Sequence, residues 1–183
     1  MYWYKHLSKF TLVTGAALLL CLGYACKPEI KETGAELKFF DLKEYFSKEA
    51  GRLTKSKPTI YKSATHNNVT ESKKLTVDNW PRELNSFTES DINKPAWRAS
   101  YAADSTANAI VYTAKYPDLK TRRIEIKKDS GRVTGILIQN TIHNILYTTT
   151  EKLSYFPGDY YLIEKTQKVK IMGANSYQIK GKF

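Results

Sequence analysis

Apolar residues along this chain change their spacing twice, and the changes divide it into three stretches. Residues 10–22 form an uncharged, mainly apolar run, FTLVTGAALLLCL, in which only two threonines and a glycine depart from apolar side chains. From Phe39 the apolar positions thin out to Phe39, Leu42, Phe46, Ala50 and Leu53, a spacing that gathers them into one stripe of an amphipathic helix. Thr33 and Glu36 have the capping-box spacing that opens such a helix, and Lys55 to Pro58 closes it. Thr59–Thr65 and Val69–Val77 then flank His66, Asn67 and Asn68, residues that suit a tight turn, and predict a rather polar hairpin at a sheet edge. Asp78 or Asn79 caps a second predicted helix with Pro81 in its first turn. Trp80, Leu84 and Phe87 share a face of it, and it ends before Asn93-Lys94-Pro95.

Beyond Ala109 the period becomes two and stays so. Ile110, Tyr112, Ala114 and Tyr116 alternate with Val111, Thr113 and Lys115; Ile124 and Ile126 alternate with Arg123, Glu125 and Lys127; Thr134, Ile136 and Ile138 share the face of the following segment. Turn residues separate these segments at Pro117-Asp118, Asp129-Ser130-Gly131, His143-Asn144, Pro157-Gly158-Asp159 and Gly173-Ala174-Asn175. The last segments run through Tyr147 and Tyr155, from Tyr161 to Ile171, and from Tyr177 to Phe183. The pattern predicts an α+β domain over residues 35–183: two amphipathic helices and a hairpin, then an antiparallel meander of about six strands. The helices are expected to cover its apolar face.

Charge and chemistry narrow the function less than the pattern narrows the fold. The chain has 183 residues, with 29 Lys and Arg against 18 Asp and Glu. Its histidines are His6, His66 and His143; no second ligand stands at metal spacing beside the last two, which fall in predicted turns. Glycine-rich phosphate loops, nucleophile elbows and H-E-x-x-H helices do not occur. Carboxylate pairs such as Glu89 with Asp91 sit where helix capping accounts for them. The expectation is a non-catalytic protein without cofactor or metal.

The first stretch says where the domain works. Lys5 and Lys9 precede the apolar run, and Gly23, Tyr24 and Ala25 lead to Cys26. A basic start, an apolar middle and small residues before a cleavage point are the build of a secretory signal peptide. Ala25 followed by Cys26 resembles the lipobox of bacterial lipoproteins, in the looser form found in Bacteroidota. The resemblance implies cleavage after Ala25, acylation of Cys26, and a tether over residues 26–34. The longer uncharged run from Phe10 to Cys26, read as an uncleaved membrane anchor, sits near the lower limit of spanning length. Cleavage takes Lys5 and Lys9 away, leaving 27 basic residues against 18 acidic ones, a balance of +9.

Outside the cytosol this excess meets no nucleic acid, so the partners expected are the membrane through the anchor and an envelope protein, anionic lipid or acidic polysaccharide. Arg122, Arg123, Lys127 and Lys128 are the candidate basic face, since guanidinium and ammonium groups pair with carboxylate and phosphate. The competing expectation is a carrier that holds a hydrophobic ligand between sheet and helices, lined by Tyr112, Tyr147, Tyr155 and Phe156. A hydrolase of envelope polymers is the third, without residues singled out for it.

Overall fold

The computed structural model describes residues 37–170 and 173–183. The expected signal peptide, Ala25, Cys26, the expected tether and the Thr33–Glu36 capping-box spacing fall outside the described residues. Within them the α+β class holds. Three helical segments, α1 (Leu42–Ser56), α2 (Trp80–Glu83) and α3 (Asn85–Thr88), pack on one face of a nine-stranded antiparallel sheet.

Helix α1 starts later than the sequence pattern suggests. Asp41 is its N-cap, accepting the Glu44 N–H at 2.7 Å. Asp91, far along the chain, accepts the Leu42 and Lys43 N–H groups, so two carboxylates meet the orphan donors at the positive end of the helix. Phe39 belongs to the apolar stripe yet precedes the helix. Asn93 holds it there by accepting the Phe39 N–H at 3.0 Å, and its ring packs edge-on against Tyr101 and Tyr112. Lys57, at a positive φ of 45°, ends the helix by donating its N–H to the Leu53 carbonyl.

The second predicted helix is broken in two at Leu84, whose N–H bonds back to Trp80 while Phe87 bonds only three residues back, to Leu84. Asn85, Ser86 and Thr88 hold a helix weakly, and the break still buries Trp80, Leu84 and Phe87 together.

The strands are β1 (Thr59–His66), β2 (Val69–Thr76), β3 (Tyr101–Ser105), β4 (Ala109–Ala114), β5 (Thr121–Asp129), β6 (Arg132–His143), β7 (Tyr147–Phe156), β8 (Tyr160–Val169) and β9 (Gly173–Lys182). Their spatial order is β2-β1-β9-β8-β7-β6-β5-β4-β3. The meander therefore has seven strands where six are expected: β3 precedes it, an exposed edge strand poor in β-branched residues. The hairpin is not separate from it either, because β1 pairs with β9 from Tyr61↔Lys182 to His66↔Tyr177. Gly173 begins β9, so the Gly173–Asn175 segment belongs to that strand and not to a turn. Asn67 and Asn68, both at positive φ, make the tight turn of the β1–β2 hairpin.

This topology explains where the cover comes from. β2 and β3 are the two edges, so the segment joining them must cross the sheet, and it crosses as α2 and α3. Between this layer and the strands, Trp80, Tyr155, Tyr161, Phe46 and Phe87 are fully buried, each contributing roughly 1.5–3 kcal/mol of burial.

Candidate functional site

Directly opposed residues of antiparallel strands share a face, so register alone sorts the sheet's side chains. On the covered face, one line of opposed positions contains Tyr161, Tyr155, Ile136, Ile126 and Ile110; the next contains Ile179, Ile163, Leu153, Ile138, Ile124 and Tyr112. The third turns polar, with Tyr177, Lys165, Glu151 and Asn140. Asn140 is buried and donates to Ser90 Oγ at 2.8 Å and to Glu151 at 2.9 Å, while Thr121 donates to the Ser90 carbonyl at 3.2 Å. These bonds fasten the segment after α3 to the strands.

Two tyrosines carry the covering helices. The Tyr155 hydroxyl donates a short hydrogen bond to Glu49 of α1, which is also ion-paired with Arg52 at 2.6 Å. Tyr161 donates to Glu83 of α2 at 2.6 Å, and Lys62 meets the same carboxylate at 2.6 Å. Burial, and then the hydrogen bond to each glutamate, pushes both tyrosine pKa values far above the ordinary 10. Burial pushes the Glu49 carboxyl up, but hydrogen bonds from Arg52 and Tyr155 outweigh it, so the net shift is downward. Glu49 is thus held ionised, the opposite of a poised general acid. Among the described residues, no three of His, Cys, Asp or Glu are grouped to hold a metal.

Beyond the helices the covered face is left open. A groove of about 800 Å³ lies against β1, β2, β7, β8, β9, the segment leading into α2, and residues of α2 and α3. Leu75, Val77, Ile163 and Ile179 line it together with Lys62, Lys73, Arg82, Lys165, Asp78, Glu83 and Glu151.

The opposite face has no helix over it among the described residues, and one line of opposed positions crosses it. Lys74 of β2 stands opposite Tyr61 of β1, Tyr61 opposite Lys182 of β9, Lys182 opposite Tyr160 of β8, and Tyr160 opposite Phe156 of β7. Phe156 lies over Gly135 of β6, where an added Cβ would come within 2.7 Å of the ring, and Gly135 stands opposite Lys127 of β5. Six strand spacings separate Lys74 from Lys127, about 29 Å. Phe156 and Tyr160 are 5.0 Å apart, Lys180 lies 5.0 Å from the Tyr160 centroid, and Lys127 5.9 Å from that of Phe156. Tyr61 is 59% exposed. Lys74, Lys127, Lys180 and Lys182 form no ion pair among the described residues.

The residues singled out from sequence divide among these regions. Tyr112 and Tyr155 are buried in packed core: the Tyr112 hydroxyl accepts the Phe40 N–H at 3.0 Å, and Tyr155 packs on Phe46 and Phe87. Tyr147 stands on the covered face at the far end of β7, opposite Val169. Phe156 faces the other way, because alternation puts it opposite to Tyr155. These four therefore line no common space, and between sheet and helices Tyr112 and Tyr155 are in contact with side chains where a ligand space was expected. Among the basic residues, Arg123 and Lys127 share the uncovered face, with Arg123 paired to Glu125 at 3.3 Å. Arg122 is the extra residue at a register shift, and its guanidinium donates to the Tyr116 carbonyl. A second shift falls between Lys127 and Lys128, where the Lys128 N–H bonds the Asn108 carbonyl. Tyr61, Lys74, Tyr160, Lys180 and Lys182 escaped notice. The signal was present in the alternation: Tyr160 and Phe156 each adjoin an inward tyrosine.

No protein-family model matches this chain, and neither a curated protein nor a solved structure does. What it does must be read from its own residues.

Proposed function

We propose that this chain is the precursor of a bacterial lipoprotein, cut after Ala25 and acylated at Cys26, whose domain binds an acidic polysaccharide of the cell envelope without acting on it chemically. The uncovered-face line of Lys74, Tyr61, Lys182, Tyr160, Phe156 and Lys127 carries this reading. An aromatic ring offers its face to the apolar side of a sugar, and a neighbouring ammonium group meets the carboxylate on the same or the next sugar. Repeating the two side-chain types across six strand spacings suits an extended polymer better than a small molecule. With no carboxylate partner among the described residues, these lysines are available to the carboxylates of the polymer.

The runner-up is carriage of a hydrophobic ligand. In its favour stands the groove, within the 300–1,000 Å³ range of ligand sites. Its seven charged lining residues make it a poor berth for acyl chains, and an ionised group turned toward hydrocarbon is costly.

The test is retention of the purified protein on an immobilised uronic-acid polymer, with a neutral glucan as control. The wild type should be retained on the acidic polymer and released by salt. A Lys127→Glu, Lys180→Glu, Lys182→Glu variant should flow through with its melting temperature unchanged. Equal retention of the two proteins would refute the assignment. Intact mass of the mature amino terminus tests the acylation separately.

A further inference from the structure

Three of the eight large apolar residues that the described domain leaves exposed lie at or beside one turn. Between β6 and β7, Ile145 is 84% exposed and Leu146 66%, and Ile142 just before them is 40% exposed. Single exposed aliphatics are ordinary, but three within five positions on one projecting turn are not explained by the fold.

The turn is also built to stay rigid. Asn144 Oδ1 accepts the N–H groups of Leu146 at 2.9 Å and Tyr147 at 2.8 Å, and the Asn144 N–H donates to the Tyr147 carbonyl at 3.0 Å. From just past the end of β8, the Lys170 N–H donates to the Leu146 carbonyl at 3.2 Å. Main-chain groups bonded in this way can leave water at little cost.

Charge agrees with the same reading. Lys170 adjoins the turn through that bond, and Lys168 stands opposite Thr148 at the start of β7. No acidic residue occurs in 142–150 or in 165–170, although 18 are present in the chain. Two bulky aliphatics at a tip with lysines behind them match the layering of a bilayer surface, whose anionic headgroups lie outside its acyl chains.

The described chain enters the domain at the same end of the sheet as this tip. Phe39 packs on Tyr101, the first residue of β3, and the Lys38 ammonium donates to the Arg98 carbonyl just before it. That is the sheet end at which the β4–β5 and β6–β7 connections lie, since the Thr141 N–H bonds the Lys120 carbonyl there. Cys26 and Leu37 are eleven residues apart, a span of at most about 36–40 Å.

We propose that the β6–β7 turn is a membrane-contact wedge: Ile145 and Leu146 enter the interfacial layer of an anionic bilayer, with Lys168 and Lys170 on its headgroups. The wedge rests on the lipoprotein reading and adds a second contact to it, fixing the orientation of a domain that its anchor alone would leave free to swing.

The experiment uses the full mature chain, purified from membranes and reconstituted into vesicles of phosphatidylcholine and phosphatidylglycerol. An environment-sensitive fluorophore is attached at Ile145→Cys or, as comparison, at Ser105→Cys at the other end of the sheet. The probe at 145 should be blue-shifted, quenched by nitroxide-bearing lipid and shielded from iodide; the probe at 105 should behave oppositely. Adding Leu146→Asp to Ile145→Cys should abolish the blue shift and the nitroxide quenching while the chain still floats with the vesicles. A floating chain whose 145 probe is as open to iodide as the 105 probe overturns the wedge and leaves the anchor standing. A probe shielded from iodide yet beyond reach of the nitroxide lipid means another protein copy covers the tip, which also overturns the wedge. A chain that does not float at all removes the lipoprotein reading and the wedge with it.

Discussion

Tyr155 and Phe156 are neighbours in β7, and Tyr161 and Tyr160 are neighbours in β8, yet each pair splits between two environments. Tyr155 and Tyr161 are wholly buried beneath the helices, with their hydroxyls on Glu49 and Glu83. Phe156 and Tyr160 lie on the uncovered side, half-buried, with lysines beside their rings. Composition is nearly the same on the two sides, and the period of two assigns opposite work. Inside, each tyrosine fastens a helix to the sheet. Outside, the rings form a surface with no helix over it among the described residues.

The largest effect expected from this contrast is a difference in stability. Phe46→Ala removes a ring packed on Phe87 and Tyr155 and should cost about 3–5 kcal/mol in denaturant unfolding. Phe156→Ala, on the uncovered side, should cost about 1 kcal/mol or less. Similar losses from both would show that the outer rings belong to the core.

The glycines beneath these rings sharpen the contrast. A Cβ at Gly181 would sit 2.1 Å from the Tyr161 ring, and one at Gly135 would sit 2.7 Å from the ring of Phe156. Tyr161 is enclosed and cannot yield, so Gly181→Ala should destabilise by about 1–3 kcal/mol as overpacking does. Phe156 can swing into solvent, so Gly135→Ala should cost clearly less. Thermal unfolding of the two variants side by side decides it, and equal costs would mean that Phe156 is as confined as Tyr161.

Smaller effects concern titration. The pKa values of Tyr155 and Tyr161 are raised, so their contribution is complete below pH 10, the ordinary tyrosine value, and is lost as pH rises through the folded-state values. Stability should fall above about pH 10, and Tyr155→Phe should flatten that fall while costing about 1–2 kcal/mol at neutral pH. For Glu49 the direction reverses. Its pKa is lowered, so its contribution is present above the ordinary 4.5 and lost as pH drops through the lower folded value. Glu49→Gln should make the acid limb of the stability curve shallower, the smallest change of the set, measured by urea midpoints against pH. An unchanged acid limb would show that the Glu49 contact with Tyr155 adds nothing.

Much of the covered face was legible in the sequence, because burial leaves a periodic mark. Leu42, Phe46, Ala50 and Leu53, the trio of Trp80, Leu84 and Phe87, and the alternating isoleucines of β4 to β6 all carried it, and all are core or packed against it. Helix ends were less legible: the true N-terminal partners of α1 are Asp41 and the distant Asp91, and no local pattern discloses a cap supplied from fifty residues away. β3 was hidden by its alanines and aspartate. The candidate surface was harder still, since which lysine stands beside which ring depends on the pairing of β1 with β9, a contact between the two ends of the domain. Arg122 shows the limit from the other side: alternation already separates it from the face of Arg123, and as the extra residue at a register shift it has no partner position on β6.

The claim at the centre is that the uncovered line of lysines and rings is a binding surface for an acidic polymer. Its most direct test is the dissociation constant for a defined uronic-acid oligosaccharide, titrated into the wild type and into a Tyr160→Ala, Lys180→Glu, Lys182→Glu variant. The expected result is a loss of at least tenfold in affinity, with a steep salt dependence in the wild type that the variant lacks. Equal affinity in two equally folded proteins would contradict it.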